Sequence, residues 1–551
     1  MSSNATKARF SWPAVATVLL GAGLGVLAWM LPVNLKSVSP ALLRVAGQGT
    51  PSVAGFGQQL VEAEKAGPAQ LVLAAARAGR DPGAEALAQS LQALESHQAD
   101  LVAWGGWDPF LEPLVKLKPE VARESTPVLN FMLPERARQA VYDYLANSRS
   151  LGVQAVLKTR DVVGTGRFVP ATRPGGQPLD AVVLLTALLY QGEHLSPSLQ
   201  RELRGLAERA VHMNALGELE SFYLDLLSLG QRLDWVQLGE LLRRTEDTKT
   251  VGEYAHLARI APAKLPVFYT AALFSDSADR VVDYLIKYGQ AGADDLQLAL
   301  ADGQGAVRVL LLRQVPVNHE GAPALGEAAG FALLHPKLAL AAKYLGYLLG
   351  AFLIFRGLDL GFIPRPGDRS SPALPHVQSG LLALVAAGLL VVATEPYLLK
   401  AVPLSEYRFK LAIPLLATSG AAPAPTSVSP PAMNTSTLVS IGIFALLQVA
   451  TYLFCLRKLN EIYRQPLSPQ LKLRLVENED NLFDSGLYIG MMGTATALVL
   501  QVLGVIDPNL LAAYSSNLFG LICVALVKIR HVRGVKRQLI LEAQPGTALA
   551  S

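Results

Sequence analysis

Apolar residues are distributed along this chain in two different ways. Residues 13–31, 338–355, 378–399, 437–456, 485–506 and 509–527 are runs with few polar side chains. Each is close to the ~20 residues an α-helix needs to cross a hydrocarbon core. Residues 36–336 follow another pattern. There AEALAQSLQALESH (84–97) and PSLQRELRGLAERAVHM (197–213) place apolar residues at steps of three and four, the spacing of one helix face. Clusters of Pro and Gly, as in GRDPGAE, ATRPGGQP and KYGQAGADD, separate such segments. Stretches 184–213, 217–245, 251–275 and 278–314 read as helix pairs, with no fixed period that names a known repeat.

The pattern predicts an all-α, polytopic membrane protein. It has about six transmembrane helices and a large extracytoplasmic helical domain, repeat-like in the manner of TPR or HEAT arrays. The expected organisation is an N-terminal membrane anchor at 1–35, the outer helical domain at 36–336 and a transmembrane hairpin at 337–400. A Pro/Ala/Ser-rich outer loop at 401–436 follows, then a three-span membrane domain at 437–530 and a basic tail at 531–551. The segment ATSGAAPAPTSVSPPAMNTST (417–437) cannot bury a core and reads as a linker between two groups of spans.

Charge fixes a direction for the spans. Lys7 and Arg9 precede the first run, and no clear A-x-A cleavage site follows it, which favours an uncleaved anchor over a signal peptide. The loop with Arg356, Arg365 and Arg369, the loop 457–484 with five Lys or Arg residues, and the tail with Lys528, Arg530, Arg533, Lys536 and Arg537 then all fall inside. The turn DPN (507–509) has no base. Lys400, Arg408 and Lys410 run against the pattern, yet the set as a whole selects six spans with both termini cytoplasmic and residues 36–336 outside. A net charge of +4, scattered along the chain, gives no basis for a nucleic-acid partner. Cys455 and Cys523 both lie in apolar runs and make no disulfide framework.

Catalytic chemistry has little support. His97, His194, His212, His256 and His319 show no ligand-type spacing with one another or with carboxylates, so neither a metal nor a cofactor is expected. GTGRF (164–168) is too short for a phosphate loop. AWGGWDPF (103–110) reads as a packed turn in preference to a ligand-stacking site. The chain is not expected to be an enzyme.

The last two runs hold the more informative residues. Gly486, Gly490, Gly493 and Ala497 step by four, three and four, which gives one helix face of small residues where another backbone can approach. Thr494 and Gln501, seven apart, share a neighbouring face. Thr494 lies ~15 Å from the inner end of its run at 1.5 Å per residue. Tyr514, Ser515, Ser516 and Asn517 fall at a comparable depth in the next run. Polar groups there require partners or a wet cavity, and interhelical hydrogen bonding is the plainer explanation for them. Glu395, before Pro396 near the outer end of the third run, is the possible intramembrane acid, with an interfacial structural role as the alternative.

YIGMMGTATAL (488–498) resembles the second span of the TolQ/ExbB/MotA proton-channel family, whose pattern runs approximately I-G-x-x-G-T-x-x-x-L. Ile489, Gly490, Gly493, Thr494 and Leu498 match it. AYSSNLFGLICVAL is similar to that family's third span, with Gly520 at the glycine and Asn517 where the family has threonine. The resemblance covers 435–540, with a cytoplasmic stretch at 457–484 shorter than is usual in the family. It implies a homo-oligomer, a pentamer, around a single-span membrane partner that bears a membrane-embedded Asp, in a bacterial inner membrane. Thr494 would line the ion path, with Asn517, Ser516 and Gln501 as further lining. Gly486, Gly490, Gly493 and Gly520 would serve helix packing. The outer domain would engage an envelope protein. The expectation is a proton-conducting motor subunit. A membrane-anchored helical-repeat scaffold without transport is the alternative.

Overall fold

The computed structural model describes residues 12–97, 102–111, 125–319, 326–362, 374–398, 405–407, 435–502 and 510–543. Among them there are helices and no strands, with single β-bridges at Val38–Val317 and Gly164–Ala215. The chain divides into two units. One comprises Val38–His319 with Pro403–Leu416, the other Met1–Ser37, Glu320–Val402 and Ala417–Ser551.

In the first unit, local sequence sets where helices begin. Ser39, Ser52, Ser150, Ser196, Asp247 and Ser277 each accept a backbone N–H of the following first turn, and Pro40 and Pro197 occupy the first helical positions. Asp234 and Gln237 form a reciprocal capping box. Asn214, Asp276 and Gln314 end their helices in the left-handed region.

The four stretches expected as helix pairs hold helices in order: Gln177–Gln191 then Pro197–Met213, Glu218–Gly230 then Trp235–Leu242, Thr248–Ile260 then Leu265–Ser275, and Ala278–Asp302 then Gln304–Arg313. Only the last two pack closely as a pair. Gln177–Gln191 and Pro197–Met213 both pack on Leu151–Lys158, and Thr248–Ile260 packs on Glu218–Gly230. Pro197–Met213 is one-sided, burying Leu199, Leu203, Leu206, Ala207 and Ala210. Leu179 to Leu189, by contrast, are all buried, as are Val267 to Ser275. A helix apolar on every side must be surrounded, and these two form the centres of the unit. Around Gln177–Gln191 pack Val128–Met132, Glu135–Ala146, Leu151–Lys158 and Glu218–Gly230. Around Leu265–Ser275 pack Ala66–Ala78, Trp235–Leu242, Ala278–Asp302 and Gln304–Arg313.

Both ends of the continuous part of this unit meet. Val38 N–H donates to the Pro316 carbonyl (2.9 Å), and Asn318 N–H to the Val38 carbonyl (2.8 Å). The buried Asp295 carboxylate secures the junction, accepting from Tyr284 Oη (2.8 Å) and Val317 N–H (3.0 Å), with His319 Nε2 3.0 Å away. Gly289, at φ +59°, breaks Ala278–Asp302 into two arms. Residues 405–407 return to this bend. Ser405 Oγ donates to the Leu285 carbonyl (3.2 Å) and Tyr407 Oη to Gln290 Oε1 (2.6 Å).

In the second unit, Trp12–Trp29, Pro336–Leu358 and Gly442–Arg464 are long and apolar enough to cross a membrane. Leu374–Thr394, Ser485–Val502 and Leu510–Ala525 are the other apolar helices at predicted runs. Thr435–Arg464 has 30 residues, about 45 Å of helix, so it outreaches a hydrocarbon core. Its far end packs with Pro469–Asn478 and Arg533–Ala543 through a core that includes Cys455, Leu459, Ile462, Val476, Phe483, Val532 and Leu539. Both cysteines are buried and free. Lys7, Arg9, the linker up to residue 434 and the turn 507–509 lie outside the described residues.

Candidate functional site

Ser485–Val502 and Leu510–Ala525 cross where neither helix has a side chain to hold the backbones apart. A Cβ on Gly490 would stand 2.9 Å from the Ser516 carbonyl oxygen, and one on Gly520 would stand 2.5 Å from that of Gly486. A Cβ on Gly493 would strike Ser516 Oγ. These glycines therefore set one helix directly on the other, the contact small residues permit in membranes.

Polar groups collect at this crossing. Ser516 is 0% exposed and its hydroxyl donates to the Gly490 carbonyl (3.2 Å). Thr494 Oγ1, one turn on, donates to the same carbonyl (3.0 Å). Gln448, from Thr435–Arg464, donates its amide to the Gly486 carbonyl (3.0 Å). Two buried amide oxygens, Gln448 Oε1 and Asn517 Oδ1, have no hydrogen-bond partner among the described residues. Such an orphan acceptor is costly where water is excluded. Gln448 carried a usable signal, as the lone amide inside its apolar run, and reasoning from spacing on the following spans missed it. The Gln501 side chain lies outside the described set.

Past the crossing, Leu526–Val532 widens into a π-helical turn, a form concentrated at functional sites. It carries Lys528, whose Nζ meets Asp484 (2.7 Å) and Asp480 (3.1 Å), and His531, whose Nε2 lies 2.8 Å from Tyr452 Oη.

A second polar cluster occupies the helices Trp12–Trp29, Pro336–Phe362 and Leu374–Thr394. The first two run antiparallel at Gly–Gly contact, for a Cβ on Gly21 would stand 2.6 Å from the Gly350 oxygen and one on Gly346 would stand 2.7 Å from Ala28 Cβ. Lys343, 3% exposed, points to the chain that leaves the first helix. Its Nζ donates to the Val33 carbonyl (2.8 Å) and Asn34 Oδ1 (2.7 Å). Glu395, 1% exposed, accepts the Leu35 N–H (3.1 Å) and the Tyr344 hydroxyl (2.7 Å). The structure thus places Glu395 in a satisfied polar cluster away from Thr494, Ser516 and Asn517. Lys343 escaped notice as one base in a long apolar run, and the step Gly21, Gly25 with Gly346, Gly350 was the signal for this crossing.

The two candidate motifs of the first unit have structural partners. Trp104 is buried and stacks on Phe131 with ring centroids 3.9 Å apart, whereas Trp107 is 63% exposed. Gly105 and Gly106 sit at φ +83° and +147°, and a Cβ on Gly105 would strike the Asp234 carboxylate. Asp108 accepts the Phe110 N–H (2.9 Å) and the Trp235 indole N–H (3.0 Å), with His194 Nε2 2.6 Å away. Burial alone would raise the Asp108 carboxyl. His194, Phe110 and Trp235 outweigh it and hold the group below the usual carboxylate range. AWGGWDPF is a packed turn. In GTGRF, the N–H groups of Gly166, Arg167 and Phe168 converge on the Glu220 carboxylate at 2.6–3.0 Å, so this chain's own acid fills the loop.

No family model, no curated protein and no solved structure matches the chain.

Two outcomes follow from these clusters. Lys343→Met or Glu395→Gln alone is expected to cost about 1–3 kcal/mol, because buried groups that hold residues 33–35 lose hydrogen-bond partners. The double variant should cost less than the sum of the two, measured by unfolding in detergent. Asp234 is wholly buried, and burial pushes its carboxyl up to about 7 against the donors on Gln237, Ser125 and Val236. The folded protein then holds a proton that the unfolded chain has released. This contribution is present at low pH and is lost as pH rises from about 4 to about 7. Asp234→Asn should flatten that slope in denaturation curves taken across the window, and an unchanged slope would refute the assignment.

Proposed function

We propose that this chain is a proton-conducting membrane subunit of a TolQ/ExbB/MotA-like motor, coupling ion flow to movement of an envelope partner. The arrangement has six spans, both termini in the cytoplasm of a bacterial cell, and residues 36–336 outside the inner membrane. Thr494, Ser516, Asn517 and Gln501 line the path. The glycines Gly486, Gly490, Gly493 and Gly520 let the helices close, and copies assemble as a homo-oligomer, a pentamer by resemblance. The proton-carrying Asp comes from a single-span partner helix, because the last three spans offer hydroxyls and amides and no acid of their own at mid-depth.

The observation that carries this proposal is the pair of buried amide oxygens, Gln448 Oε1 and Asn517 Oδ1, beside the Gly490–Ser516 crossing. A bundle that serves only as an anchor gains nothing from acceptors without donors, whereas a bundle completed by another polypeptide does. The alternative, a membrane-anchored helical-repeat scaffold that binds proteins without transport, draws on the run of successive helices from Gln177 to Arg313. No catalytic role and no cofactor is assigned.

Purification of the chain in mild detergent, with subunit counting and identification of copurifying small membrane proteins, separates the two. The motor predicts a five-fold assembly that holds a single-span protein with an Asp inside its span. A monomer or dimer without such a protein would overturn it and leave the scaffold.

A further inference from the structure

A cavity of about 480 Å³ lies among Trp12–Trp29, Pro336–Phe362 and Leu374–Thr394, within the ~300–1,000 Å³ range of small-ligand sites. Its length follows the first helix from Gly21 to Trp29, about 12 Å at 1.5 Å per residue. Gly21 and Gly350 bring the first two helices into backbone contact along one wall, and Gly25, where a Cβ would meet nothing within 4 Å, leaves the hollow beside them unfilled. Ile354 and Phe355 line one end. Polarity enters at the other end alone, where Tyr347 Oη donates to Thr394 Oγ1 (3.3 Å), next along the helices from the Tyr344–Glu395 and Lys343–Asn34 contacts.

We propose that this cavity is a binding site for one acyl chain of a bilayer phospholipid, with the lipid's ester and headgroup region at the Tyr347–Thr394 end. The chemistry of the lining fixes the occupant. An apolar hollow offers water no partners and accepts apolar molecules instead. The first two of these helices are apolar and long enough to cross a membrane, so the medium at the open side of the groove, where Val26 and Leu390 are exposed, is hydrocarbon. An amphiphile with a single chain in the groove matches a wall that is apolar along its length and hydroxylated at one end. This assignment depends on the N-terminal helices alone and stands whether or not the last three spans conduct ions.

Native mass spectrometry of the full-length protein, delipidated in mild detergent and reloaded with palmitoyl-oleoyl phosphatidylglycerol, reads the site directly. The wild type is expected to retain one phospholipid per copy. Ala22→Phe and Ala386→Phe, which fill the groove from two different helices, should each lower that occupancy at least tenfold with the assembly mass unchanged. Quenching of Trp29 by a phospholipid brominated on its acyl chain, taken as the difference from Trp29→Phe, provides a readout without groove-filling variants, and it should saturate at one equivalent. Unsaturable quenching, retention unaffected by the filling substitutions, an empty protein, or a free fatty acid or lipidated peptide in place of phospholipid would each overturn the proposal.

Discussion

A hydrogen-bonding group inside an apolar helix has no water to turn to, and the two helical groups of the membrane-type unit meet this constraint differently. In the N-terminal group, Lys343 and Glu395 would each be prohibitive alone. They are satisfied by three consecutive residues, Val33, Asn34 and Leu35, and by Tyr344. The chain leaving the first helix is thereby held from two sides, and the group is closed around its own charges. The C-terminal group is left incomplete: Gly486 and Gly490 carbonyls receive amide and hydroxyl donors, while Gln448 Oε1 and Asn517 Oδ1 receive none among the described residues. The proposal places the partner helix where this accounting remains open.

Carboxylates organise the Val38–His319 unit in a comparable way. Asp295 joins the two ends of its continuous part, Asp234 caps a helix beneath the 103–106 turn, Asp108 holds Trp235 and the next turn, and Glu220 fills the 166–168 loop. Each is used by backbone or side-chain donors of the same unit, the Ser125 hydroxyl among those on Asp234. Their environments differ in sign. Burial dominates at Asp234 and raises it, while donors dominate at Asp108 and lower it.

Much of this was legible in the order of residues. Helix starts follow from Ser–Pro and Asp–x–x–Gln spacings, and Pro197–Met213 falls where apolar residues recur at three and four, whereas which helix packs on which does not follow the order along the chain. The step Gly486, Gly490, Gly493 could be read as one face. What lay opposite could not, because Ser516 and Gly520 belong to another helix whose rotation the spacing leaves open. Periodicity also fails for Leu179–Leu189, where burial on all sides erases the amphipathic signal. Lys343 and Gln448 were hidden for a related reason. A single polar residue in an apolar run barely changes the run, yet its meaning depends on a neighbour far along the chain. The role of Glu220 in GTGRF was equally out of reach, since it lies more than fifty residues away.

The most direct measurement of the central claim is proton flux into vesicles that contain the purified complex. With a pH gradient imposed, the complex is expected to discharge it, and Thr494→Ala should slow the discharge several-fold while leaving subunit count and copurifying partner unchanged. A complex that assembles with its partner and leaves the gradient intact would contradict the account.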